Sequence, residues 1–370
     1  MAYRLGFIME QTLGHITHAQ NLQYWIEKDP EIIPTWIPIS FEIKDRWDKV
    51  PLVRSNWTLR ASLRAREQVL AALGSARLDG LFCHTPVTAL FLQGLMADIP
   101  TVVSMDATPI NFDEIGSPYG HTPSSFKLLE YFKNTLNRRV FRNSRKLITW
   151  CKWAKDSLDT DYGIDAGKSI VIPPGVDLEK WKSARGPAPR TAVRLLFVGG
   201  DFRRKGGYTL LEAFRDSLQQ DCELDIVTRE QVDTGGLRGV KVHYDLGSNA
   251  PELMALYARA DIFVFPTQAD VLPLVIMEAM ASGLPIITTA VGAVCEQIEH
   301  CVNGFLVPPG DSRALAEATL RLVRDPVLRD TMSAAARNCA DEKFNAAKNY
   351  PRVLSACKEC VDNGRRSARR

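Results

Sequence analysis

Three side chains in the second half of this sequence, Lys205, Asp270 and Glu278, have the types and spacing to hold a phosphorylated ligand. Two of them share the segment Ile262-Phe-Val-Phe-Pro-Thr-Gln-Ala-Asp-Val-Leu-Pro-Leu-Val-Ile-Met-Glu-Ala-Met-Ala-Ser-Gly-Leu-Pro-Ile-Ile-Thr-Thr289, which reads as strand, loop, helix, glycine turn and next strand. Pro273 suits the first helical position, where a missing N–H costs no bond, so the amides of Leu274 and Val275 are expected to point free. A helix start of this kind binds anions, and a diphosphate would suit it. Asp270, just before the helix, could take sugar hydroxyls. Glu278 sits between Met277 and Ala279 in an apolar run, so its carboxylate must reach a cleft or find a partner such as a ribose diol. The plainer alternative has Asp270 capping the helix and Glu278 on its wet face. Either acid alone fits that alternative; the two on one strand–loop–helix unit favour a ligand.

Lys205 follows the strand-like run in Phe197-Val-Gly-Gly-Asp-Phe-Arg-Arg-Lys205 and precedes Gly206-Gly207. A cation in such a turn can neutralise a diphosphate leaving group as charge develops on it. An ordinary surface lysine is the alternative, and the paired glycines after a strand favour the first reading. In the first half, Gln11-Thr-Leu-Gly-His-Ile-Thr-His18 follows the first strand, so that Gly14 would let backbone approach a ligand while His15 and His18 face the cleft mouth. Asp106, at the end of Thr101-Val-Val-Ser-Met, could bind sugar hydroxyls or orient an acceptor nucleophile, or else cap the turn before Pro109. His121 is a further candidate for acceptor or sugar contact, and His84 reads as satisfied by backbone and structural.

The elements that must position these groups repeat one scheme twice. Short β-rich runs at Leu5–Ile8, Trp36–Ile39, Leu81–Cys83, Thr101–Ser104, Leu147–Trp150 and Ile170–Ile172 alternate with helical stretches, including 56–76 and 124–141. Runs at Leu195–Val198, Leu224–Val227, Val240–Val242, Ile262–Phe265, Ile286–Thr289 and Phe305–Val307 do the same in the second half. The alternation predicts an α/β protein with two doubly wound parallel sheets, Rossmann-like, facing each other across a cleft at the strands' carboxyl ends. Expected boundaries are 1–175 for the first domain and 176–345 for the second, with a helix over about 346–370 packing back on the first. The linker falls at Ser183–Arg190.

Composition fits this organisation. A chain of 370 residues, 45% apolar and 24% charged, suits two globular domains, and a net charge of +3 gives no reason to expect nucleic acid as a partner. The apolar start is too short for a signal peptide, and no run reaches the length of a membrane span, so a cytoplasmic protein is expected. The run Arg138-Arg-Val-Phe-Arg-Asn-Ser-Arg-Lys146, near Phe126, Tyr131, Phe132 and Phe141, would serve a peripheral contact at the membrane's inner face, or simply be a solvated helix face. The eight cysteines form no metal-ligand pattern and read as reduced thiols.

The segment around Glu278 resembles the signature of the retaining GT-B glycosyltransferases of family 4, in which a Glu is followed, after seven intervening residues, by Glu-Ala-Met-Ala-x-Gly-x-Pro. The resemblance extends to Gly292-Ala-Val-Cys-Glu296, Asn303-Gly-Phe-Leu-Val-Pro-Pro-Gly-Asp311, Val171-Ile-Pro-Pro-Gly-Val-Asp177 and Phe197–Gly206, covering the C-terminal half nearly end to end. It implies transfer of a hexosyl group from a UDP- or GDP-linked sugar to an acceptor hydroxyl of a glycan, lipid-linked sugar or small molecule. Retention at the anomeric carbon and no essential metal are implied with it, and the loop bearing Gly14 would reach donor phosphates and acceptor. The resemblance places Asp106, Lys205 and Asp270 in catalysis, with Gly14, Arg204, Leu274, Val275 and Glu278 on the donor. Several positions depart from the pattern, among them Leu272-Pro273 where the usual pair is Phe-Gly. Asp270 stands for the usual Glu, Asp106 for a common His, and Gly200 for an Arg five residues before the Lys. That last change leaves Arg203 or Arg204 to supply the second cation, and Arg204 is the expected one. These departures motivate a rival reading as a degenerate nucleotide-sugar-binding subunit. A sugar-nucleotide epimerase or a phosphorylase shares the architecture but not the acid pair, and a dehydrogenase lacks its Gly-x-Gly-x-x-Gly.

Overall fold

The computed structural model describes residues 2–42, 46–54, 56–121, 127–181 and 192–367. The expected linker at Ser183–Arg190 lies outside the described residues, as do 124–126 of the expected helix, Phe126 with them, and the last three residues. The chain forms two compact units, one of Met1–Glu114, Thr122–Pro174 and Ala347–Arg370, the other of Ile115–His121 and Gly175–Ala346.

Each apolar run read above lies within or largely overlaps one strand. In the first unit β1 (Tyr3–Gln11), β2 (Ile32–Ser40), β3 (Gly80–His84), β4 (Thr101–Met105), β5 (Lys146–Thr149) and β6 (Ser169–Val171) form one parallel sheet in the order β2-β1-β3-β4-β5-β6. In the second, β7 (Val193–Val198), β8 (Cys222–Thr228), β9 (Val240–Tyr244), β10 (Ile262–Phe265), β11 (Ile286–Thr289) and β12 (Gly304–Val307) pair in the order β9-β8-β7-β10-β11-β12. The inner strands β3, β4, β10 and β11 are buried at every residue, because helices cover both faces, and this is why they read as unbroken apolar runs. The chain reverses direction across each sheet at one place, between β1 and β3 in the first unit and between β7 and β10 in the second. In open α/β sheets ligands bind beyond the carboxyl ends at that point.

The helices that bear on function are α1 (Leu13–Ile26), α2 (Trp57–Ser75), α3 (Lys127–Asn143), α4 (Lys152–Thr160), α5 (Gly207–Ala213), α6 (Pro251–Arg259) and α7 (Leu274–Ala281). After them come α8 (Ser312–Arg324), α9 (Pro326–Lys343) and α10 (Ala346–Ser367). Their starts follow local chemistry. Asn56, Asp311 and Asp325 each accept a backbone N–H three residues on, at 3.1, 2.8 and 2.9 Å, and Pro326 opens α9. The C-terminal helix belongs to the first unit: Lys358 Nζ lies 2.8 Å from Asp29 and 2.6 Å from Glu31, and Arg365 lies 3.2 Å from Asp79.

Candidate functional site

In the second unit the loops leaving β7 and β10 are locked together at the switch point. Gly206 has φ +80°, and a Cβ there would stand 1.9 Å from the Pro266 carbonyl oxygen, so only glycine permits the approach. The Gln268 N–H donates to the Arg204 carbonyl at 2.8 Å, and Arg204 Nη1 donates to the Ala269 carbonyl at 2.9 Å. On the other side Gly292, at φ +52°, brings its backbone against the Asp270 carbonyl. A Gly206→Ala variant must part the two loops as well as adopt a left-handed φ. It is expected to lose about 2–6 kcal/mol of stability in a denaturant melt.

The result of this locking is an ion pair between Lys205 Nζ and Asp270 Oδ2. Asp270 is 8% exposed, and its other oxygen accepts the Val271 N–H at 3.2 Å. Burial pulls the Lys205 ammonium below its ordinary value, against the opposing pull of the Asp270 charge. Arg204 departs from its expected role. Its guanidinium is buried, bonded to Asp201 through Nε at 2.9 Å and to Ala269 through Nη1, with Tyr119 under it at 4.0 Å. A side chain so committed shapes the loop instead of standing open to a phosphate. Arg203, the other candidate, stacks on Tyr208 at 5.0 Å.

Pro273 is the N-cap of α7, not its first helical residue, since its ψ of 126° is extended. Leu274 therefore opens the helix. The N–H groups of Leu274 and Val275 make no hydrogen bond to any described residue, while Ile276 N–H returns to the Pro273 carbonyl at 3.2 Å. Glu278 is not on a wet face: it is 4% exposed, and Tyr257 Oη on α6 donates to its Oε2 at 3.1 Å. Burial pushes the Glu278 carboxyl up to about 7, the tyrosine bond drawing it part of the way back. Trp181 packs edge-on against Tyr257 at 5.1 Å. The helix thus carries a carboxyl that changes charge near neutrality.

The first unit has a polar cluster at its own switch point. Glu10, one residue from the end of β1, is 6% exposed and accepts from Thr12 Oγ1 at 2.6 Å and from Thr85 Oγ1 at 2.5 Å. Thr85, just past β3, has φ +73°, a strained setting for a β-branched residue and one that clusters at functional sites. His15 Nδ1 lies 2.8 Å from His84 Nε2, and its Nε2 lies 3.9 Å from both Glu10 Oε1 and Asp106 Oδ2. Asp106 accepts the N–H of its neighbour Ala107 at 2.8 Å through Oδ1, but the cap before the helix at Pro109 is Thr108, which accepts the Asn111 N–H at 3.1 Å, and the second oxygen of Asp106 is the one near His15.

Three expectations fail here. The stretch after β1 is no loop: Thr12 takes the extended N-cap conformation and α1 begins at Leu13, with Gly14 in its first turn, where an added Cβ would meet no protein atom within 4 Å. His18, expected at the mouth, comes a turn later and is buried against His84, Trp150 and Tyr350, and burial drives its pKa down to about 3. His84 is buried too, stacked on Trp150, and burial holds its imidazole well below the ordinary range, so it is neutral, but its ring bonds His15 instead of backbone. His121 lies in the short segment that groups with the second unit, its N–H bonded to the Gly116 carbonyl at 3.0 Å. Glu10 was the residue missed; an acid ending the apolar run 5–9, two residues before Thr12, was the available signal. Among the described residues no group of three or more His, Cys, Asp or Glu side chains is placed to hold a metal ion, and no helix is long and apolar enough to cross a membrane.

Residues 192–325 match the family model described as glycosyl transferases group 1, and residues 28–180 match the model for glycosyltransferase family 4. The chain is 30% identical over 237 residues to a D-inositol 3-phosphate glycosyltransferase of Catenulispora acidiphila, covering 57% of this chain and 56% of that protein. It spans about half the length of several such relatives. A glycogen synthase of Mycobacterium tuberculosis is 27% identical over 314 residues, 78% of this chain and 72% of that one. Among solved structures, a sucrose-phosphate synthase from Thermosynechococcus elongatus superposes with a TM-score of 0.77 at 18% identity, covering 98% of this chain and 100% of that one. The Anabaena protein HepE, solved with UDP and glucose, does so at 0.68 and 15%, covering 96% and 100%. The fold they share is the GT-B fold.

Proposed function

Because this chain belongs to the group 1, family 4 glycosyltransferases, we propose that it moves a sugar from a nucleotide diphosphate sugar to an acceptor hydroxyl, with retention and without an essential metal. The bond from the anomeric carbon to the diphosphate breaks, a bond to the acceptor oxygen forms, and the acceptor's hydroxyl proton passes to the departing diphosphate. The observation that carries the reading is the convergence, at the β7/β10 switch point, of Lys205, Asp270, two unbonded helix amides and buried Glu278. The amides of Leu274 and Val275, with Lys205, stabilise the departing diphosphate by fixed charge. Asp270 orients the sugar and Glu278 takes the ribose diol. In the first unit, Glu10, His15 and Asp106 are assigned to the acceptor.

UDP is the first donor base to try, since HepE was solved with UDP and with UDP-glucose. The exposed Leu128, Tyr131 and Phe132 of α3 support a peripheral contact at the inner face of the membrane, which goes with a cytoplasmic enzyme. A thermal-shift screen of UDP, GDP, ADP and their sugars tests the donor. At a hundred times its dissociation constant the right ligand adds about 2.7 kcal/mol of stability. A flat response to all of them sinks the reading. Binding without transfer or slow hydrolysis favours the degenerate subunit, for which the departures at Asp270, Gly200 and Asp106 speak.

A further inference from the structure

We propose that Arg229, one residue past the carboxyl end of β8, is the second cation for the donor diphosphate, acting from across the Gly199-Gly200 turn to Lys205. This rests on the nucleotide-sugar reading above. It begins from charge. A diphosphate carries several negative charges, yet Lys205 is already balanced by Asp270, Arg204 is committed to Asp201 and Ala269, and Arg203 stacks on Tyr208. Glu278 adds further negative charge when ionised. None of these three side chains is a cation to spare.

Arg229 supplies one. It is exposed and makes no hydrogen bond or ion pair to any described residue. A Cβ on Gly200 would lie 3.7 Å from Arg229 Cδ and 3.9 Å from Nε, so the arginine stem passes over that glycine. A Cβ on Gly199 would lie 3.0 Å from Lys205 Cβ and 3.1 Å from its Cγ. Adjacent glycines after β7 therefore carry the stems of two cations. The turn is fixed to β8 as well, since Gly199 N–H donates to the Val227 carbonyl at 2.9 Å. Side-chain-free backbone flanked by two cations is a cradle for phosphate oxygens, and the guanidinium fork can donate to two of them at once.

The test is calorimetric titration of the full chain with UDP, GDP and ADP, comparing the parent, Arg229→Ala, and Arg229→Ala with Gly200→Arg. Arg229→Ala is expected to weaken whichever diphosphate the parent binds by about 10- to 100-fold, the loss typical of a charged hydrogen bond. Adding Gly200→Arg, whose side chain leaves from under the vacated stem, is expected to restore most of that affinity. Arg229→Ala binding within about twofold of the parent overturns the inference, and so does a loss that Gly200→Arg leaves unrepaired, because then Arg229 only supports the loop. A parent that binds no diphosphate overturns the donor reading itself and this inference with it, an outcome recognised by the blank lying in the parent.

Discussion

Lys205→Ala is expected to cut transfer by about 10²- to 10³-fold, the loss seen when one preorganised charge-stabilising group is removed from a site where charge develops. The effect should fall mainly on the turnover number, because the diphosphate gains charge as the sugar departs. Asp270 then faces a second test. If it only holds Lys205 in place, Asp270→Ala adds little once Lys205 is gone, and a double-mutant cycle shows near-complete coupling. If it also binds the sugar, the double variant is slower than either single one. An Asp270→Ala enzyme that transfers at the parental rate removes that residue from the mechanism. Lys205→Ala also leaves Asp270 buried and unpaired, at a stability cost of about 1–3 kcal/mol that a melt at neutral pH reads independently.

Glu278→Gln is expected to stabilise the protein and weaken donor binding together. The carboxyl titrates at about 7 when folded, against an ordinary 4.5, so between those values the folded chain holds a proton that the unfolded chain lacks. Its contribution to stability is therefore greatest below the unfolded value and is lost as pH rises through about 7, to a total of about 3 kcal/mol. Glutamine keeps the shape and escapes the loss. Denaturant melts should show the variant level with the parent near pH 4.5 and ahead of it at pH 8. Parental donor affinity should fall as the pH drops below about 7, where the acid stops accepting the ribose hydroxyls. The variant should show no such slope and bind about 10- to 100-fold more weakly at pH 8. Tyr257→Phe, which removes the bond that favours the ionised form, should move the parental midpoint upward. Equal stability differences at both pH values would show that Glu278 is not titrating in this range.

Much of this was legible in the sequence, for identifiable reasons. Strands buried on both faces write themselves as apolar runs, so all twelve could be found, and Glu-Ala-Met-Ala-Ser-Gly-Leu-Pro marked the helix that bears Glu278. Local chemistry misled where tertiary context chose between neighbouring options. Proline suits both the N-cap and the first helical position, and its extended ψ at residue 273 settles which one it takes. The resemblance placed Gly14 in a loop, chosen for close backbone approach to a ligand, yet Thr12 starts a helix there. Pairings between distant residues left no local trace. Thr85 with Glu10 and Arg229 over Gly200 come from strands brought side by side, Tyr257 with Glu278 from two helices packed together, and no spacing rule connects them.

The edge-on contact between Trp181 and Tyr257 has a practical side. The chain has seven tryptophans, and Trp181 is the only one beyond residue 153, so the second unit carries a single strongly fluorescent residue. It is 3% exposed and one ring away from the carboxyl assigned to the ribose. Replacing the other six with phenylalanine would leave an intrinsic optical reporter next to the proposed donor site, with which nucleotide arrival could be followed in real time without a label.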